Sequence, residues 1–119
     1  MITITKVEPT DAAIRELAEA MLPWLAEGIF GTPNVERAVR NGYLVICEDM
    51  TWVARDDTSA IIGTIGMVED ALWFSDDVCL VNRWLWVRKD HRGGDLGARL
   101  CLTARAEAKR RDVMCFITL

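Results

Sequence analysis

Arg92-Gly93-Gly94-Asp95-Leu96-Gly97-Ala98 sets three glycines and a guanidinium at the start of an amphipathic run. These residue types hold anions. The first amides of a helix lack intrahelical carbonyl partners, and the helix dipole adds partial positive charge there. Glycines let a ligand approach the backbone, and Arg92 adds a forked, charged donor. The chemistry suggested is phosphate or pyrophosphate binding; the alternative is a turn that only joins two elements. No Gly-Lys-Ser/Thr follows, so this is not a P-loop, and Gly93, Gly94 and Gly97 lack dinucleotide-fingerprint spacing.

At 119 residues the chain is expected to form one domain, 1–119, with a real core. Its formal charge of −4 argues against a general nucleic-acid binder. Arg83, Arg88, Lys89, Arg92 and Arg99 nevertheless crowd a segment whose only acids are Asp90 and Asp95. A local basic turn on an acidic protein suits a small anionic ligand. Cys47, Cys79, Cys101 and Cys115 lack metal-ligand spacing and lie in or beside apolar runs, so reduced, mostly buried thiols and no metal are expected. The start, MITITKVEPTD, does not read as a signal peptide, and no apolar run reaches membrane-spanning length. A cytoplasmic location without membrane partners is expected.

The elements that must position the turn follow from periodicity. Ile2–Val7 alternates as a first strand. Thr10 or Asp11 then caps a helix with Ile14, Leu17, Ala18, Met21, Leu22 and Leu25 on one face, which Pro23 should kink or end. Ile29 and Phe30 fall in a loop, where they plug the core or line a pocket. Asn34 caps a second helix that Asn41-Gly42 could end, although Tyr43–Cys47 reads better as helix than strand. Thr51–Arg55 and Ala60–Met67 form a hairpin around a polar turn. Cys79–Val87 is apolar on both faces, with Trp84 and Trp86 on one and Leu85 and Val87 on the other, as in a covered central strand. After the glycine turn, Leu96, Leu100, Ala104 and Ala108 form a helix stripe, with Arg99, Arg105 and Glu107 facing elsewhere; Asp112–Leu119 is the last strand.

Leu85-Trp86-Val87, Arg88-Lys89-Asp90-His91 and Arg92–Ala98 resemble the signature of the GNAT superfamily of N-acetyltransferases, Arg/Gln-x-x-Gly-x-Gly/Ala after a strand and a short charged link. The hairpin also looks like that family's second and third strands, in the right order. One position departs: Asp95 stands where the family usually has Gly, and its carboxylate could repel a pyrophosphate, face solvent or cap the helix. The resemblance implies an α/β (α+β) fold in the order β-α-α-β-β-β-α-β. Its sheet is mixed and mostly antiparallel, with helices on both faces. The family's further helix and two strands, with the Tyr that often acts as general acid, are then absent from the chain. The length and the Trp-Phe-Ser…Arg-Gly-Gly texture are also similar to short GNAT-like proteins of tailed phages.

The resemblance further implies acetyl transfer from acetyl-CoA to an amine of a small molecule or protein. Trp86 and Val87 would offer backbone to the pantetheine; Arg92, Gly93, Gly94, Asp95, Leu96, Gly97 and Ala98 would cradle the pyrophosphate. Glu69 and Asp70, at the end of the third strand, are the candidate bases, although a solvated turn explains them as well. His91 lies on the phosphate side, and Asn82 and Arg83 are candidate acceptor contacts. Two alternatives stand beside this: a catalytically silent GNAT-fold protein that binds CoA or a protein partner, and an unrelated α/β domain with a structural turn. Five tryptophans and the missing wall suggest an apolar patch suited to a homodimer.

Overall fold

In a computed structural model, residues 1–27, 34–46 and 50–118 are described. The expectations for Ile29, Phe30, Cys47 and Leu119 fall outside them. The elements are β1 (Thr3–Lys6), α1 (Asp11–Glu27), α2 (Val35–Ile46), β2 (Thr51–Arg55), β3 (Ile61–Ala71), β4 (Val78–Val87), a 3-10 turn (Lys89–His91), α3 (Leu96–Arg111) and β5 (Met114–Phe116). They follow the expected order. The five strands lie in one sheet in sequence order. Every neighbouring pair is antiparallel except β4 and β5, which run parallel because α3 carries the chain back between them.

Alternation along the strands separates two cores. Trp52 and Ala54 join Met67, Leu80, Leu96, Leu100, Ala104 and Ala108 beneath α3. Val53, between them, joins Ile14, Leu17, Met21, Val39 and Trp86 beneath α1 and α2. The helices thus cover both faces. The expected stripe of α3 is fully inside: Leu96, Leu100, Ala104 and Ala108 are all buried.

Capping fixes the helix starts. The Thr10 hydroxyl accepts the Ala13 N–H at 3.2 Å, and the Asn34 side chain accepts the Arg37 N–H at 3.0 Å. Two break signals in the sequence do not end their helices, and α2 takes in Tyr43–Ile46 as the helical reading of that run expects. α1 runs past Pro23 to Glu27. Pro23 and Glu19 are both exposed, so the carbonyl that the missing N–H leaves free can bond water. α2 runs through Asn41-Gly42 to Ile46. A Cβ on Gly42 would meet Ile14 at 3.9 Å, so this position lies where the two helices meet. No helix among the described residues is long and apolar enough to cross a membrane.

Glu107 corrects a further expectation, because it does not face away. Its side chain is only 8% exposed and is held by Arg111 at 2.9 Å, by Lys6 at 3.5 Å and by Arg110. Burial pushes its carboxyl up, but the bonds from Arg111 and Arg110 and the charge of Lys6 outweigh that and hold it below the ordinary glutamate range. A depressed folded-state value contributes stability above the unfolded value of about 4.3, which is lost as pH falls through the folded value. Glu107→Gln is therefore expected to lower stability by about 2 kcal/mol near neutral pH. The gap to wild type should narrow steadily as urea melts are taken below the unfolded value of about 4.3. A gap that does not depend on pH would mean that packing, not charge, is what Glu107 contributes.

Candidate functional site

The glycine turn sits where β4 ends and α3 begins. The Arg88 N–H donates to the Ile62 carbonyl at 2.7 Å, so β4 stays paired to β3 up to the turn. Arg92 folds back, donating its Nε–H to the Val87 carbonyl at 2.7 Å. One arm of the expected anion donor thus pins the turn to the strand. Arg88 bonds both oxygens of Asp90, at 2.7 and 2.9 Å; this pairing raises the arginine and lowers the aspartate from their ordinary values.

The glycines differ in what they are for. Gly93 has φ +91°, a conformation that disfavours any side chain. Gly94 and Gly97 have no such φ. A Cβ on Gly94 would meet nothing nearer than the His91 carbonyl at 3.9 Å, and on Gly97 nothing nearer than Val87 at 3.8 Å. The fold needs neither to be glycine. Beside them lie the first amides of α3, which have no intrahelical carbonyl to bond. Asp95 occupies the N-cap position with its side chain exposed and makes no capping bond, so the capping alternative is not realised.

β4 leaves its parallel partner just ahead of the turn. Pairing with β5 ends at Val81 and Phe116. There the Asn82 side chain takes over: its Nδ2–H donates to the Thr118 carbonyl at 2.9 Å, and its Oδ1 accepts the Thr118 N–H at 2.8 Å. Past this amide, Trp84–Val87 has no rung to β5. Trp86 is buried under α1 and α2, so its backbone rather than its indole faces the gap.

On the helix-paired side of the same segment lies a cavity of about 580 Å³, within the usual range of about 300–1,000 Å³ for small-molecule sites. α1, α2, β3 and β4 line it, through Leu17, Met21, Trp24, Val45, Val68 and Trp84 among others. Trp84 is a fixed wall. Its indole N–H donates to the Thr64 hydroxyl at 3.1 Å, and that hydroxyl donates to the Trp52 carbonyl at 2.9 Å. The ring lies over Gly66, where a Cβ would fall 2.5 Å from it.

The carboxylates divide. Glu69 borders the cavity, but its carboxylate accepts from Arg111 of α3 at 3.2 Å, and α3 covers the opposite face of the sheet. Asp70 turns its carboxylate back on the Ala71 N–H at 2.9 Å. Arg83 also borders the cavity, whereas Asn82 is spent on the strand gap. The anchoring role of Asn82 was not visible beforehand, because it depends on β5 lying alongside. Cys79, Cys101 and Cys115 are free thiols; burial pushes Cys101 and Cys115 up, away from the reactive thiolate.

A parted strand pair, a hollow and a glycine-lined helix start follow one another along β4 and into α3. Residues 47–119 match the acetyltransferase (GNAT) domain family. The chain belongs to the GNAT acetyltransferase family. Among curated proteins none matches it. Among solved structures, it is similar to a predicted acetyltransferase with acetyl-CoA from Clostridium acetobutylicum, at 14% identity and TM-score 0.76, covering 100% of this chain and 81% of that one. It is also similar to glucosamine-6-phosphate N-acetyltransferase from Arabidopsis thaliana, at 17% identity and TM-score 0.72, covering 100% and 82%. A third is an aminoglycoside acetyltransferase from an uncultured soil metagenomic sample in complex with sisomicin, at 12% identity and TM-score 0.72, covering 99% and 77%. The GNAT fold is shared with all three.

Gly66→Ala is expected to push the Trp84 indole off Thr64. Stability should fall by about 1–3 kcal/mol, as overpacking a filled site does. Near-UV circular dichroism should lose the band that Trp84→Phe also removes. An unchanged spectrum and melt would show that the wall is not held as described.

Proposed function

We propose that the protein is an N-acetyltransferase that moves the acetyl group of acetyl-CoA to an amine, acting as a single domain in the cytoplasm. One observation carries the donor assignment. Gly94 and Gly97 leave open, at the start of α3, the space that their Cβ atoms would fill, and the fold asks for neither glycine. Close approach of a ligand does ask for them.

The residues divide the work. The backbone of Trp86 and Val87, freed from β5, takes the pantetheine arm as an added strand would be taken. Arg92, Gly93, Gly94, Asp95, Leu96, Gly97 and Ala98 surround the pyrophosphate, with helix amides and dipole meeting its charge. Acetyl-CoA supplies the acetyl group as a thioester. The backbone N–H groups of β4 polarise a carbonyl placed in the gap. The amine acceptor enters from the cavity side and must arrive neutral to attack. Glu69 borders that cavity, held in place by Arg111, and draws the amine's proton through ordered water; Asp70 lies next to it on the same strand.

Gly97→Ala separates this reading from a merely structural turn. Alanine suits a helix better than glycine, so thermal stability should hold or rise by up to about 1 kcal/mol. Acetyl-CoA affinity, measured by calorimetry, should fall about tenfold or more, since the methyl group occupies the ligand's space. Equal affinity in the two proteins would overturn the cradle.

Glu69→Gln should leave acetyl-CoA affinity unchanged and lower kcat by about a hundredfold, the low end of general-base effects. Full kcat in this variant would remove Glu69 from the mechanism. Acetyl-CoA binding without turnover of any amine would support the alternative, a silent binding module, to which Asp95 points.

A further inference from the structure

The walls of the cavity specify more than an amine. They are apolar over most of their extent, and two indoles, Trp24 and Trp84, stand among them. Among the described residues, two side chains at its border carry charge, Arg83 and Glu69. Glu69 is already compensated by Arg111 at 3.2 Å. Arg83 is exposed and makes no ion pair or hydrogen bond among the described residues. The border therefore presents an uncompensated guanidinium beside an apolar hollow.

Resting on the acetyltransferase reading, we propose that the acceptor is a free α-amino acid with a large apolar side chain. The hollow takes the side chain between Trp24 and Trp84. Arg83 takes the α-carboxylate, which the planar guanidinium fork matches in geometry and charge. Arg83 is also the residue of β4 left without a partner on β3, so a carboxylate held there keeps the α-amine, one carbon away, against β4 where that strand has left β5. The amine nitrogen bonds the acetyl carbon, the carbon–sulfur bond breaks, and the amine's proton ends on the departing thiol.

Other amines fit less well. A polyamine or an aminoglycoside would set several ammonium groups against Arg83 and aliphatic walls, and the one carboxylate that borders the cavity among the described residues is already neutralised. A phosphorylated amino sugar would satisfy Arg83 but set most of its hydroxyls against Leu17, Met21 and Val68, with the Asn41 amide able to meet only one or two of them.

Thiol release from acetyl-CoA tests this with L-phenylalanine, L-phenylalaninamide, L-alanine and spermidine as acceptors, alongside calorimetric acetyl-CoA binding on the same preparations. L-phenylalanine should exceed both its amide and L-alanine in kcat/KM by about tenfold or more, the scale of one charged hydrogen bond or one buried ring. In Arg83→Gln the acid-to-amide ratio should fall to near one. If that variant does not melt cooperatively, Trp24→Ala tests the opposite wall: the preference for L-phenylalanine over L-alanine should narrow. Turnover of spermidine but not of L-phenylalanine, or equal use of acid and amide by the wild type, overturns the inference and leaves the acetyltransferase reading standing. Failure to bind acetyl-CoA overturns both.

Discussion

One extra residue in β4 sets the geometry around it. Gly66 pairs with Trp84 and Met67 with Asn82, so Arg83 has no partner on β3. A bulge bends its strand and strengthens the local twist. It also resets which side chains face which way. Leu80 before it and Leu85 and Val87 after it all reach the core under α3, while Trp84 and Trp86 reach the one under α1 and α2. A strand bent at this point cannot stay beside β5, and the parallel pairing stops two residues earlier, at Val81. Gap, cavity wall and rim charge thus trace to the same irregularity.

A parted pair of strands is useful only if the helix closing it is held still. α3 is fixed at both ends. At its start it lies so close to the sheet that a Cβ on Gly63 would be 3.2 Å from Leu100 and 3.3 Å from Leu96. At its end, Glu107 ties it to Lys6 of β1, and Arg111 ties it to Glu69 of β3. The buried stripe between leaves no freedom to roll. The unpartnered amides at the start of α3 therefore keep one direction relative to β4, as preorganised recognition of an anion requires. The same network engages Glu69, so the tie that steadies the helix also fixes where the carboxylate of this cavity-border residue lies.

Much of this was legible because it is local. The cap at Asn34, the hairpin, the two-faced pattern of β4 and the stripe of α3 each depend on residues within a few positions of one another. The glycine turn stood out for the same reason. What stayed hidden depends on distant partners. Gly42 looks like a helix stop until Ile14 of α1 is seen packed beside it. Glu107 looks like a solvent-facing acid until Lys6, a hundred residues earlier in the chain, reaches it. The sequence pairs Glu69 with Asp70 as two neighbouring acids; the sheet separates them, sending one to Arg111 and leaving the other on its own strand. The bulge at Arg83 could not be read at all, since a one-residue excess exists only relative to the strand alongside.

Asp95 is the position at which family pattern and chain disagree, and its geometry says how much that costs. Its φ of −96° is open to any residue, so the backbone does not suffer from losing a glycine. Its side chain is exposed and makes no capping bond, so it is not committed to the helix. What remains is electrostatic. Two unit charges 4 Å apart in water repel by about 1 kcal/mol, and salt reduces this further. The surrounding turn carries Arg88, Lys89 and Arg92 against Asp90, a cationic excess that a single carboxylate does not reverse. Under the proposed function, a doubly charged pyrophosphate here would lose about 2 kcal/mol, about thirtyfold in affinity, to Asp95 before salt screening. Beside the helix amides and the cationic excess of the turn, that would tune donor binding rather than abolish it.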